Sequence, residues 1–253
     1  MKKEGYRTGL VSVSFRGHTP MEILEAMKSS GLGFVEWGSD VHAPCEEPDK
    51  LIEIAKMQEK YGIECSSYGT YFRIGETPME ELEKYIDAAK ILGTHILRLW
   101  CGRKNGADMT ESEKNELLEL CRQGAKIAEA RGVTLCLECH KKTFTENPKD
   151  TVWLMNSVDS PSFRMYWQPF QWQSAEENVK NAETIAPYAE NIHVFNWKDD
   201  KKLPLAAAVD EWREYLSRFS GSQAVLLEFM PDGTLGELKA EADALKTIVG
   251  ESL

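Results

Sequence analysis

The sequence predicts a single (β/α)8 TIM barrel, an α/β fold that takes residues 1–253 as one domain. Short apolar runs alternate with amphipathic stretches, which implies parallel strands joined by crossover helices. The count is eight of each in 253 residues, the size of one such barrel. No linker, low-complexity tract or charge block divides the chain. A doubly wound sheet fits less well, because no Gly-x-Gly-x-x-Gly opens a helix.

The strands are expected at Thr8–Ser14, Phe34–Trp37, Glu64–Tyr68, His95–Trp100, Thr134–Glu138, Phe163–Trp167, Ile192–Phe195 and Ala224–Glu228. Helical spacing marks the intervening stretches, as at Leu82, Tyr85, Ile86 and Ala89 in Met79–Leu92. Glu111–Arg131 and Leu235–Val249 read the same way. Five starts fit the capping box: Thr19/Glu22, Thr77/Glu80, Thr110/Glu113, Ser174/Glu177 and Thr234/Glu237. Pro20 and Pro78 suit a first helical position, and Gly31, Gly62, Gly93 and Gly132 suit left-handed caps before the next strand.

With 30 Lys+Arg against 41 Asp+Glu, the net charge of −11 disfavours nucleic-acid binding, and no basic groove offsets it. No run of 18 apolar residues is present, so no membrane span is expected. Leu10–Phe15 alternates like a strand and not like a signal peptide, and the six dispersed cysteines read as reduced thiols. A cytoplasmic protein is the expectation. Cys136-Leu137-Glu138-Cys139-His140 matches a haem-attachment pattern by the letter, but Cys139 points to the opposite face from Cys136 and His140. A cysteine zinc site lacks its second ligand pair.

Barrel chemistry sits at the C-terminal strand ends and the loops after them. There the chain places Glu36 and Trp37, then Asp40 and His42; Arg98 and Trp100; Glu138 and His140; Gln168 and Gln171; His193; and Glu228. Two glutamates close apolar runs, Leu135-Cys136-Leu137-Glu138 and Val225-Leu226-Leu227-Glu228, where an unpaired charge is costly. Either could pair with a base such as Arg98. Glu138, Gln168, His193 and Glu228 together form an oxygen and nitrogen donor set suited to Mn²⁺, Mg²⁺, Co²⁺ or Zn²⁺. Trp37, Trp100, Trp167 and Trp197 lie at strand ends and could wall a sugar site, whereas Trp153 and Trp212 read as core. Lys198, Lys201 and Lys202 follow the seventh strand, where barrels bind phosphate; solvated lysines are the plainer reading.

These residues resemble the xylose isomerase-like TIM barrels, which include tagatose 3-epimerase-type enzymes, hydroxypyruvate isomerase, inosose dehydratase and, more distantly, endonuclease IV. The likeness spans essentially the whole chain. It rests on Phe34-Val35-Glu36-Trp37-Gly38-x-Asp40-Val41-His42, Leu137-Glu138-Cys139-His140, Asn191-Ile192-His193-Val194-Phe195 and Leu227-Glu228. In the epimerases, one metal is held by Glu, Asp, His and Glu after strands five to eight. The corresponding positions here are Glu138, Gln168, His193 and Glu228, spaced by 30, 25 and 35 residues. Gln168 replaces the family's Asp, so the set carries one negative charge fewer and implies weaker metal binding. Gln171 stands where the family has a substrate-site His.

The resemblance implies a sugar or sugar phosphate isomerase or epimerase. Glu138 and Glu228 would be the acid/base pair for proton transfer α to a carbonyl, with a divalent metal stabilising the enediolate. Glu36, His42, Arg98, Trp100, His140, Gln171 and Lys198 are the expected substrate-binding or supporting residues. The alternatives are a keto-sugar or inosose dehydratase and a metal-free, non-catalytic sugar-binding barrel. The endonuclease chemistry needs many more His and Asp ligands than a chain with five His provides. The expected partner is a small carbohydrate. Barrels of this kind often form homodimers, though neither a heptad nor a large apolar patch marks an interface here.

Overall fold

The computed structural model describes residues 5–198 and 200–250. Eight parallel strands close into a barrel: β1 (Arg7–Val11), β2 (Phe34–Gly38), β3 (Glu64–Ile74), β4 (Ile96–Cys101), β5 (Thr134–Glu138), β6 (Phe163–Trp167), β7 (Ala189–Val194) and β8 (Ala224–Leu227). Closure comes from β1, which pairs with β2 through Leu10–Val35 and with β8 through Thr8–Val225. Outside lie α1 (Pro20–Ser30), α2 (Pro48–Tyr61), α3 (Leu82–Ile91), α4 (Glu111–Arg131), α5 (Pro148–Val158), α6 (Ala175–Ile185), α7 (Val209–Leu216) and α8 (Leu238–Val249). The predicted barrel is therefore the observed one. No helix among the described residues is long and apolar enough to cross a membrane.

The helix signals hold where the side chains are free to close the box. Thr19/Glu22, Thr110/Glu113 and Ser174/Glu177 form complete capping boxes, and Pro20 opens α1. Two expected boxes fail because a 3-10 turn precedes the helix. Thr77 Oγ1 accepts from the Arg73 N–H, and Thr234 turns back onto Asp232. Pro78 accordingly precedes the turn Met79–Glu81, and α3 begins at Leu82. Gly31, Gly62, Gly93 and Gly132 all take positive φ at helix ends.

Strand alternation divides the core. Residues facing the helices form the large outer layer, whereas Val11, Ile96, Cys136, Tyr166, Ala224 and Leu226 fill the barrel interior. The same alternation corrects the tryptophan reading. Trp37 and Trp167 face outward: Trp37 Nε1 donates to Gln58 on α2, and Trp167 packs on Trp212, Tyr215 and Phe219. Trp212 is buried core as expected, but Trp153 is 39% exposed and lies against Phe144 at the surface.

Candidate active site

Above the apolar interior layer, Glu36, Arg98, Glu138, His193 and Glu228 meet inside the barrel. All five are buried. A shift in register between Val35 and Glu36 sets Glu36 opposite Ser67, whose hydroxyl donates to Oε2 at 3.0 Å. Arg98 Nε donates to Glu36 Oε1 at 2.9 Å, and Arg98 Nη1 donates to Glu138 Oε2 at 2.8 Å. Trp100 Nε1 donates to that same Glu138 oxygen at 2.6 Å. The close passage of the Arg98 fork requires Gly69 on β3, since a Cβ there would lie 2.5 Å from Glu36 Oε1 and 2.9 Å from Arg98 Nη2.

His193 Nδ1 faces three oxygens: Gln168 Oε1 at 3.2 Å, Glu228 Oε2 at 3.5 Å and Glu138 Oε1 at 3.8 Å. The Gln168 amide is oriented by its Nε2, which donates to the Cys139 carbonyl, so its oxygen is the atom turned to the site. His193 Nε2 stands 3.4 Å from Glu36 Oε2. Glu228 is held at the end of β8 by an unusual neighbour. Phe229 has φ +58°, a costly conformation for a bulky residue, and its N–H donates to Ser14 Oγ.

The charges explain the titration of the cluster. Burial penalises the charge on Glu36, but Arg98 and then His193 overcome it and bring the carboxyl to about 2. Glu138 is likewise opposed by burial, yet Arg98 and His193 hold it well below the usual carboxylate range. Burial works against a charged His193 as well, but Glu228 and Glu36 outweigh it and raise the imidazole to about 10. Glu228 goes the other way. Burial is its largest influence, Glu138 adds repulsion, and together these exceed the attraction of His193, leaving it at about 7. Its Oε2 is buried and accepts no hydrogen bond.

A cavity of about 190 Å³ opens onto this cluster, lined by Arg98, Trp100, Glu138, Gln168 and Glu228, with Arg16, Tyr71, His140, Gln171 and Trp197 at its walls. The predicted Arg98, Trp100, Glu138, His140, Gln168, Gln171 and Glu228 thus share one cavity, with His193 beneath them. Glu36 supports the layer below and does not line the cavity. His42 is not there: its ring is buried between Ser12 Oγ at 3.0 Å and the His18 carbonyl at 3.1 Å, which satisfies both nitrogens. Lys198 is paired with Glu211 at 2.7 Å beyond the cavity. Sequence reasoning missed Arg16, Tyr71 and Gly69. Arg16 and Tyr71 join Asp40 in a rim network that only the folded loops create.

This chain belongs to the xylose isomerase-like TIM barrel family, whose model matches residues 24–246. A 3-dehydroshikimate dehydratase of Bacillus anthracis is 24% identical over 149 residues, which are 58% of this chain and 51% of that protein. The chain thus aligns with about half the length of that relative. Two solved structures show the same fold. D-psicose 3-epimerase of Clostridium cellulolyticum H10, solved with D-tagatose, has a TM-score of 0.70 at 13% identity, covering 97% of this chain and 100% of that one. The IolI protein with a bound zinc atom has a TM-score of 0.75 at 14% identity, covering 96% and 98%. Among the described residues of this chain, no three His, Cys, Asp or Glu are drawn together as a metal-holding group. The nearest approach to one is the set around His193 Nδ1, in which an amide oxygen supplies one donor.

Two outcomes are expected. Removing Arg98 strands two buried carboxylates, so Arg98→Gln should lower the unfolding free energy by about 3–5 kcal/mol in denaturant titrations at neutral pH. The added change Glu36→Gln should recover part of that loss; equal losses in the single and double variants would contradict the pairing. In chelator-treated protein the fold favours protonated Glu228, so its ionisation removes stability as pH rises from 4.5 to 7. Glu228→Gln should therefore gain on the wild type across that window, by about 5 °C in Tm. A Tm difference independent of pH would count against the assignment.

Proposed function

We propose that the chain is an enolising enzyme, with Glu228 as the base that removes a proton α to the carbonyl of a small polyhydroxylated compound. The observation that carries this reading is Glu228, whose side chain lines the cavity and whose buried Oε2 has no hydrogen-bond partner among the described residues. Its polar neighbour His193 Nδ1 stands 3.5 Å away and makes no hydrogen bond to it, so the carboxylate can meet the substrate's C–H without giving one up.

The donors around His193 Nδ1 suit a hard divalent cation in kind. The carboxylates of Glu36, Glu138 and Glu228 exceed the single guanidinium of Arg98 by two negative charges when His193 is neutral, and a divalent ion would balance them. Glu138, Gln168, His193 and Glu228 would hold Mn²⁺, Co²⁺, Mg²⁺ or Zn²⁺, which when bound would polarise the substrate carbonyl. His193 gives up its Nδ1 proton for this, so loading favours higher pH. Glu36 Oε2 keeps the Nε2–H and fixes the ring.

The two glutamates are not equivalent. Arg98 and Trp100 hold one Glu138 oxygen and keep the group ionised, so Glu138 is a poor proton donor. Epimerisation with two bases needs a donor on the opposite face, which favours reactions served by Glu228 alone. After taking the α-proton, Glu228 returns it either to the former carbonyl carbon, while the α-hydroxyl proton passes to the former carbonyl oxygen to give an aldose–ketose isomer, or to a departing β-hydroxyl, which leaves as water as the carbonyl re-forms beside a new C=C bond. The isomerase expectation and the dehydratase alternative thus share their first step. The dehydratase activity named for the Bacillus anthracis relative supports the second outcome.

The test is proton NMR in D₂O with Mn²⁺-loaded protein and D-fructose, D-psicose or 3-dehydroshikimate. Loss of an α C–H signal is expected, slowed by roughly 10²–10⁴-fold in Glu228→Gln. Deuterium in a ketose or its isomer marks isomerisation, and a new alkene marks dehydration. An unchanged rate in the variant would remove Glu228 from the role.

A further inference from the structure

We infer that the groove beside the catalytic cavity is a second sugar-unit subsite, so that the reacting carbonyl compound carries an appended glycosyl unit. The inference builds on the enolising reading for the reacting half only. The inner cavity of about 190 Å³ is smaller than most small-molecule sites, which span roughly 300–1,000 Å³. The adjoining groove holds about 370 Å³, and Pro169, Phe170, Gln171, Trp172 and Trp197 line both, so the two are neighbours.

The groove is built for a hydroxyl. Asn196 is 5% exposed; its Nδ2 donates to the Pro204 carbonyl at 2.9 Å, and its Oδ1 has no partner among the described residues. On the next residue, Trp197 Nε1 is also buried and has no partner among the described residues. An acceptor and a donor are thus left without partners on two residues that line the groove, and a hydroxyl is itself donor and acceptor. Above them Trp172 is 51% exposed and lies against Phe170 with ring centroids 4.9 Å apart, a platform for the C–H face of a sugar ring.

Charge rules out a phosphate as the better occupant. Lys198 is neutralised by Glu211, and the α6 N-terminus is already satisfied by Ser174 with the Glu177 carboxylate beside it. Lys202 Nζ stands 5.8 Å from the centroid of the Trp197 ring, and the rest of the lining is neutral, polar and aromatic, which fits a glycosyl unit.

The test is ¹⁵N-HSQC titration of the indole signals of Mn²⁺-loaded protein, assigned by single Trp→Phe changes, with D-fructose, the ketose disaccharides isomaltulose and turanose, and inorganic phosphate. At least one disaccharide should bind ten-fold or more tightly than fructose and shift Trp172 and Trp197. Asn196→Ala, at a residue that lines the groove and not the inner cavity, should abolish that gain while leaving fructose binding unchanged. Disaccharides no tighter than fructose, equal loss for both ligands in the variant, or phosphate alone moving these signals would overturn the proposal. Solvent exchange on fructose without tighter disaccharide binding would refute the subsite and spare the enolising reading. Tight disaccharide binding with no exchange on any carbonyl compound would do the reverse.

Discussion

Arg98, buried between Glu36 and Glu138, holds both carboxylates in their charged form at the centre of the barrel. Its guanidinium binds both carboxylates at once, and the close approach needs Gly69 on the neighbouring strand. Because the fork engages Glu36 and Glu138 closely, these two stay ionised and Glu228 is left as the carboxyl with a free oxygen. His193 then sits among three carboxylates and takes up positive charge. One ion-pair geometry therefore divides three glutamates into two anions paired with Arg98 and one, Glu228, that makes no such pair. Buried ion pairs are weak grounds for stability. Here their consequence is an asymmetry that the chemistry can use.

That asymmetry underlies the proposed reaction. Two glutamates on a barrel rim suggest symmetrical proton delivery, as the sequence reading expected. The Arg98 and Trp100 contacts break the symmetry and leave the isomerase and dehydratase outcomes on an equal mechanistic footing. What separates them is whether a hydroxyl sits β to the carbonyl and can depart, a property of the substrate held in the wider cleft. The left-handed Phe229, next to Glu228 in sequence, is a further sign that the backbone at this strand end is held for function.

The barrel was legible because its signals are local and repeated: alternating periodicities, capping boxes and left-handed glycines. The boxes at Thr77 and Thr234 fail for a local reason too, since each hydroxyl finds a nearer partner in its own turn. Strand parity explains the site residues. Arg98 and Trp100 point inward together, as do Tyr166 and Gln168, which sends Trp167 out to the helices. The same rule separates Glu36 from Trp37. His42 could not be placed this way, because it lies in a loop whose path depends on Ser12 and His18 far away in sequence. Nor could the open donor and acceptor at Trp197 and Asn196 be seen, since an unmade hydrogen bond leaves no pattern in a sequence.

In the proposed function, a cation at the His193 donor set balances the excess of negative charge that Glu36, Glu138 and Glu228 carry over Arg98 once His193 is neutral, in spite of Gln168. The direct check is elemental mass spectrometry of the purified protein, treated with chelator, reconstituted with Mn²⁺ and desalted, alongside Glu228→Ala. The account predicts about one equivalent of metal in the wild type and a small fraction of that in the variant. No retained metal in the wild type, or equal retention in both, would contradict it.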